Sequence, residues 1–167
     1  MAFHEVIMSV VRFLMLLSLV AWVGGIVFFA FVLAPTVFHP GILPSRQAAG
    51  AVVSRSLGIL HWIGLVCGVV FVVTSIIDAQ VVNGVAAPFA ARNLLVYAMI
   101  VLTLISMLGI STRMLVLRNQ MVFIDNVPHD DARRVEFNRL HLWSTRLETT
   151  VLLLGLAVIF LTSRRLS

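Results

Sequence analysis

Residues 139–165 read RLHLWSTRLETTVLLLGLAVIFLTSRR, and this stretch decides the architecture. Only Thr149–Thr162 is free of charge. At about 1.5 Å of rise per residue, that run is too short for a bilayer core of about 30 Å, which takes about 20 residues. The segment crosses only if its helix begins near Leu140 and carries His141, Arg146 and Glu148 into or beside the membrane. A span over 140–162 therefore brings polar chemistry with it.

Three plainer apolar segments precede it. Residues 13–34 run from Phe13 to Ala34 between Arg12 and Pro35, residues 57–77 stop at Asp78, and residues 94–112 lie between Arg92 and Arg113. Together the four predict an all-α integral membrane four-helix bundle, with residues 1–167 as a single four-span domain. Composition agrees: 60% of the 167 residues are hydrophobic and 11% are charged. A soluble domain carries about a quarter charged residues to keep its surface wet. The first apolar run exceeds the h-region of about 7–15 residues in a secretory signal, so it reads as a retained helix. Between the spans, Pro40, Gly41 and Pro44 mark turns, and so does Asn83-Gly84, with Pro88 leading into the third helix. Pro128-His129-Asp130-Asp131 reads as a helix start, where an aspartate caps free amides.

The net charge of +5 comes from arginine, with no lysine in the chain. These arginines flank apolar runs, which points to membrane-facing ends and away from nucleic acid. Arg46, Arg55, Arg113, Arg118, Arg133, Arg134, Arg139 and Arg146 fall on the side of the first and third loops; Arg12, Arg92, Arg164 and Arg165 fall on the other. The positive-inside rule then places the long loops in the cytoplasm. The lone Cys67 reads as a small packing residue.

Periodicity shows where polar groups gather. On the second helix, His61, Gly64, Leu65 and Gly68 share a face, and Gly64 and Gly68 form a GxxxG pair that permits close approach of a neighbour. Gly24 and Gly25 predict close packing on the first helix. On the fourth helix, His141, Ser144, Thr145 and Glu148 form one polar stripe, continued by Leu152 and Gly155. Turned to lipid, an ionised residue costs about 2.5–3.5 kcal/mol at the membrane centre, so the stripe is expected to face the interior. Alternating helix directions bring His61, Arg113, His141, Ser144 and Glu148 to the long-loop side, with His39 in the first loop as a lid. A purely structural polar network and a site for a ligand, ion or proton are both open readings of this cluster. Trp22, Trp62 and Trp143 read as packing or interface aromatics.

Phe137-Asn138-Arg139-Leu140-His141-Leu142-Trp143-Ser144 resembles the FxxLHxxS element of the transmembrane protein 205-like family. Trp22-Val23-Gly24-Gly25 with Pro35, and His61-Trp62-Ile63-Gly64, resemble its bacterial members. The resemblance implies a small four-helix protein of unknown function, here in a bacterial cytoplasmic membrane; the family often has an asparagine where this chain has Glu148. WxGG followed by Pro35 also resembles the membrane domain of copper-resistance protein D, which implies copper handling. Three functional readings follow. One is a small-molecule or ion binding and transport protein that uses the polar cluster. Another is a carrier of haem b or copper on His61 and His141, since paired histidines on facing helices suit a haem iron. The third is an accessory subunit or homo-oligomer joined through glycine faces. No GxGxxG, P-loop, GxSxG or HExxH pattern supports a soluble enzyme; a membrane enzyme using His141 and Glu148 as acid and base is the remaining catalytic alternative.

Overall fold

The computed structural model describes residues 2–121 and 127–166, and every regular element among them is helical. Four rods are labelled α1 to α4. Helix α1 runs Ala2–Phe28, passes through a π-helical stretch Phe29–Leu33 and ends as Ala34–Val37. Pro35 has no N–H to give to the ladder, and the wider π turn just before it absorbs the shift. Helix α2 spans Arg46–Asn83. Helix α3 runs Ala91–Leu104, widens to π-helix over Ile105–Ser111 and continues as Thr112–Gln120. Helix α4 spans Ala132–Leu166; the side chain of Arg165 lies outside the described residues.

Each helix packs on its neighbours, α1 on α2, α2 on α3, α3 on α4, and α4 back on α1, which closes an up-down-up-down bundle. All four rods are long and apolar enough to cross a membrane. Their outward faces carry Phe13, Val20, Phe31, Val66, Val69, Leu108, Leu153 and Phe160, all exposed. A continuous apolar exterior of that kind is suited to lipid and not to water.

The helices outrun the apolar segments that announce them. Helix α2 begins at Arg46, where Ser45 accepts from the Ala48 amide at 3.1 Å as the N-cap. It does not stop at Asp78 but reaches Asn83, because Asp78 is buried against arginines from two other helices. Gly84 ends it in the left-handed conformation at φ 72°, its amide donating to Gln80 O. Helix α4 starts at Ala132, well before Leu140, so one rod carries the polar stripe from the loop into the membrane. Asp131 caps it: Oδ1 accepts from the Arg133 amide at 2.8 Å, and Oδ1 and Oδ2 pair with the Arg133 guanidinium. That pairing, foremost the side-chain hydrogen bond, lowers the Asp131 carboxyl to about 2.

The GxxxG face of α2 does not admit a second backbone. It seats an indole. A Cβ on Gly64 would lie 2.6 Å from Cε2 of Trp22, and one on Gly68 would lie 2.9 Å from its Cζ3. Gly25 gives way to Leu60, and Gly155 on α4 to Val23, each at 2.6–2.7 Å from such a Cβ. Gly24 has nothing within 4 Å, so the close packing expected there is absent.

Candidate functional site

His61 and Glu148 stand at matching depth. At about 1.5 Å per residue, His61 lies about 22 Å along α2 from Arg46, and Glu148 about 24 Å along α4 from Ala132. Their side chains meet: His61 Nε2 lies 2.6 Å from Glu148 Oε1. With the carboxylate ionised, Nε2–H donates to it, and the short distance is that of a charge-assisted bond. The imidazole is 2% exposed and the Glu148 side chain 17%. The second ring nitrogen, Nδ1, is buried and has no hydrogen-bond partner among the described residues.

The inward stripe of α4 is Ser144, Glu148, Val151, Gly155, Val158 and Thr162. Its spacings of three and four residues follow the helical period. Ser144 is buried on the same face, one turn from Glu148. Helix α3 contributes Ser106, fully buried in the π-helical stretch, its hydroxyl unpartnered among the described residues. Met99 packs against the Gly155 position. Seven residues further towards the long loops these two helices bring Ser106 and Glu148 level. Below the pair, Trp22 fills the Gly64–Gly68 slot with its pyrrole edge towards Gly64.

Two residues expected in this cluster lie elsewhere. Arg113 is exposed and pairs with Glu136, Nε–Oε1 at 2.8 Å and Nη2–Oε2 at 3.1 Å. Helix α3 continues beyond the apolar core to Gln120, so the Arg113 guanidinium finds the solvent-side stretch of α4. His141 is exposed at the edge of the α4 stripe. His39 is exposed in the first loop, where Nδ1 donates to the Pro40 carbonyl at 3.0 Å. Trp62 and Trp143 face outward, at 60% and 49% exposure, as belt aromatics do.

This placement bears on metals and haem. With His61 tied to Glu148 and His141 facing out, the two imidazoles do not flank one gap. Among the described residues no three His, Cys, Asp or Glu side chains come together. As placed, His61 and His141 do not form the facing pair that a bis-His haem takes.

Sequence reasoning missed a second buried cluster at the short-loop end. Asp78 meets Arg12 at 3.1 Å and Arg92 at 3.6 Å, and Arg92 Nη2 donates to Ser75 O at 3.2 Å. Asp78 is 2% exposed and Arg92 4%. Both read in sequence as span ends. The available signal was their opposite charge at facing ends of consecutive helices.

The sequence matches the family described as a domain of unknown function, DUF4149, over residues 17–122. The chain belongs to that family. The matched stretch covers most of α1, all of α2 and α3, and therefore His61, Trp22, Asp78, Arg92 and Ser106; Glu148 lies beyond it. The expectation of a membrane family of unknown function stands at that level, and the match itself points to neither the transmembrane protein 205-like family nor copper-resistance protein D. No curated protein and no solved structure matches the chain.

Proposed function

We propose that this DUF4149 protein binds and moves a small ion or polar molecule across the membrane, with His61 and Glu148 as its intramembrane site. One observation carries the reading: a buried imidazole and a carboxylate on two different spans meet at 2.6 Å inside the bundle. Ionisable groups inside membrane spans are expensive and mark functional sites such as ion or proton pathways. A structural staple between α2 and α4 needs no second polar face, yet this pair has one. Nδ1 of His61 and Ser106 Oγ are buried without partners among the described residues, and Ser144 is buried one turn from Glu148. A proton is the guest the pair is best built to take. It lands on Nδ1 and leaves an imidazolium already facing the Glu148 carboxylate, so no lone charge is created in the bundle.

Related proposals complete the picture. Residues 1–167 act as one four-span unit in a bacterial cytoplasmic membrane, long loops inward. Dimerisation through the Gly64–Gly68 face is disfavoured, since Trp22 of the same chain fills that slot. The decisive experiment is flux into vesicles. Purified protein in liposomes loaded with pyranine should dissipate an imposed pH gradient faster than empty liposomes, and Glu148→Gln should remove the difference. Equal rates for wild type and Glu148→Gln would refute a proton-moving role for the pair.

A further inference from the structure

Polar groups also converge in the other half of the bundle. Ser75 on α2, Asn93 on α3 and Thr162 on α4 are 0%, 0% and 1% exposed. Ser75 Oγ, Asn93 Oδ1 and Thr162 Oγ1 each lack a hydrogen-bond partner among the described residues. Helix packing places them at one level. Gly68 meets Ile100 and Gly155 meets Met99. Seven residues towards the short loop, these pairs become Ser75 with Asn93 and Thr162 with Arg92. The Arg92–Ser75 hydrogen bond fixes the same register.

The orphaned atoms are not a routine property of helical hydroxyls. Such groups ordinarily donate back to a carbonyl three or four residues earlier. Thr74 does so to Val70 and Phe71, and Ser163 to Phe160. Their immediate neighbours Ser75 and Thr162 do not, although both are buried where an unmade bond is costly. Asn93 uses its amide N–H on Ala87 O at 3.1 Å, which leaves Oδ1 as an acceptor aimed inward.

We propose that Ser75, Asn93 and Thr162 form a second intramembrane site, and that its guest is water. Charge selects that chemistry. Arg92 and Arg12 beside Asp78 disfavour a bound cation. Asp78 and the Asn93 carbonyl disfavour an anion. Two hydroxyls and one carbonyl oxygen suit a neutral guest that both donates and accepts, and a buried water needs 2–4 such partners. About 21 Å, or 14 residues of α2, separates Ser75 from His61. Between them lies a largely apolar septum that includes Phe71, Val96, Met99, Val151 and Val158, each at most 1% exposed. The site is thus a hydrated vestibule on the short-loop side of that septum, opposite the His61–Glu148 pair. Its role as the far half of a conduit rests on the transport reading; its hydration does not.

Single cysteines test it in vesicles, on a Cys67→Ser background. Ser75→Cys and Thr162→Cys should react with a small membrane-impermeant thiol reagent from the short-loop side about tenfold or more faster than Val96→Cys, whose reaction must wait for local opening. Rates equal to Val96→Cys would overturn the proposal. So would equal labelling from both sides, because it denies the septum. Water-edited solid-state NMR of the unsubstituted protein in bilayers is independent of these variants. Water magnetisation should reach the Asn93 and Thr162 side chains well before Val96 and Val158, and simultaneous transfer to all four would refute a wet site. Either result leaves the flux assay with Glu148→Gln free to succeed or fail by itself.

Discussion

Replacing Gly64 with alanine places a methyl on the Trp22 indole, 2.6 Å from Cε2 and 2.9 Å from Cδ1. Comfortable carbon contacts begin near 3.5 Å, so the ring must retreat by about 1 Å. It has nowhere to go. Trp22 is 3% exposed, and the far edge of its ring lies over Gly68, so close that a Cβ there would come within 2.9 Å of Cζ3. Overpacking of this kind costs about 1–3 kcal/mol. Against it stands the gain of up to about 1 kcal/mol from replacing glycine in a helix interior. Gly24→Ala separates the two terms, since a Cβ there meets nothing within 4 Å and takes only the helical gain. In reversible SDS unfolding followed by circular dichroism, Gly64→Ala should fall below Gly24→Ala by about 1–3 kcal/mol. Trp22→Phe, a smaller ring, should recover part of that loss when combined with Gly64→Ala, as expected for residues in contact. Indistinguishable unfolding of Gly64→Ala and Gly24→Ala would refute the indole seat.

Asp78→Ala should destabilise the bundle by about 3–5 kcal/mol, because it strips the carboxylate from buried Arg92; the same SDS titration reads it. Asp131 contributes to the start of α4 in full above the ordinary carboxylate value near 4. Its folded value is lowered to about 2, so the contribution is lost as pH falls from about 4 through about 2. Protection of the Arg133 amide in hydrogen exchange should fall over that window, and Asp131→Ala should lower it at every pH. His141→Ala and Arg113→Ala should leave vesicle flux unchanged, since both side chains are exposed and apart from the His61–Glu148 pair.

The spans were legible because hydrophobic runs of membrane length have few other readings, and the fourth was legible through the cost of leaving a polar stripe in lipid. Asp131 as a cap and Gly84 as a terminator were equally local, fixed by residues a few positions apart. What periodicity could not give is which edge of a polar stripe a neighbour covers. His141 and Glu148 are seven residues apart on one face, yet only Glu148 is enclosed. Arg113 was drawn inward by its span-end position, but a long flexible side chain at a helix end reaches the nearest carboxylate, here Glu136. The Gly64–Gly68 pair announced a close neighbour without saying that the neighbour was an indole. Asp78 and Arg92 looked like ordinary span boundaries, because their pairing joins helices and leaves no trace in either helix alone. Ser75, Ser106 and Thr162 were invisible as sites, since helical hydroxyls are usually satisfied by their own backbone.

The proposed site is the meeting of His61 with Glu148 across two spans. Solid-state NMR on protein in lipid bilayers can measure it, with ¹⁵N in the His61 ring and ¹³C at the Glu148 carboxyl. The 2.6 Å hydrogen bond predicts Nε2 within about 4 Å of the carboxyl carbon and a strong dipolar coupling between them. No such coupling to His61, or a coupling from Glu148 to His141 in its place, would contradict the site.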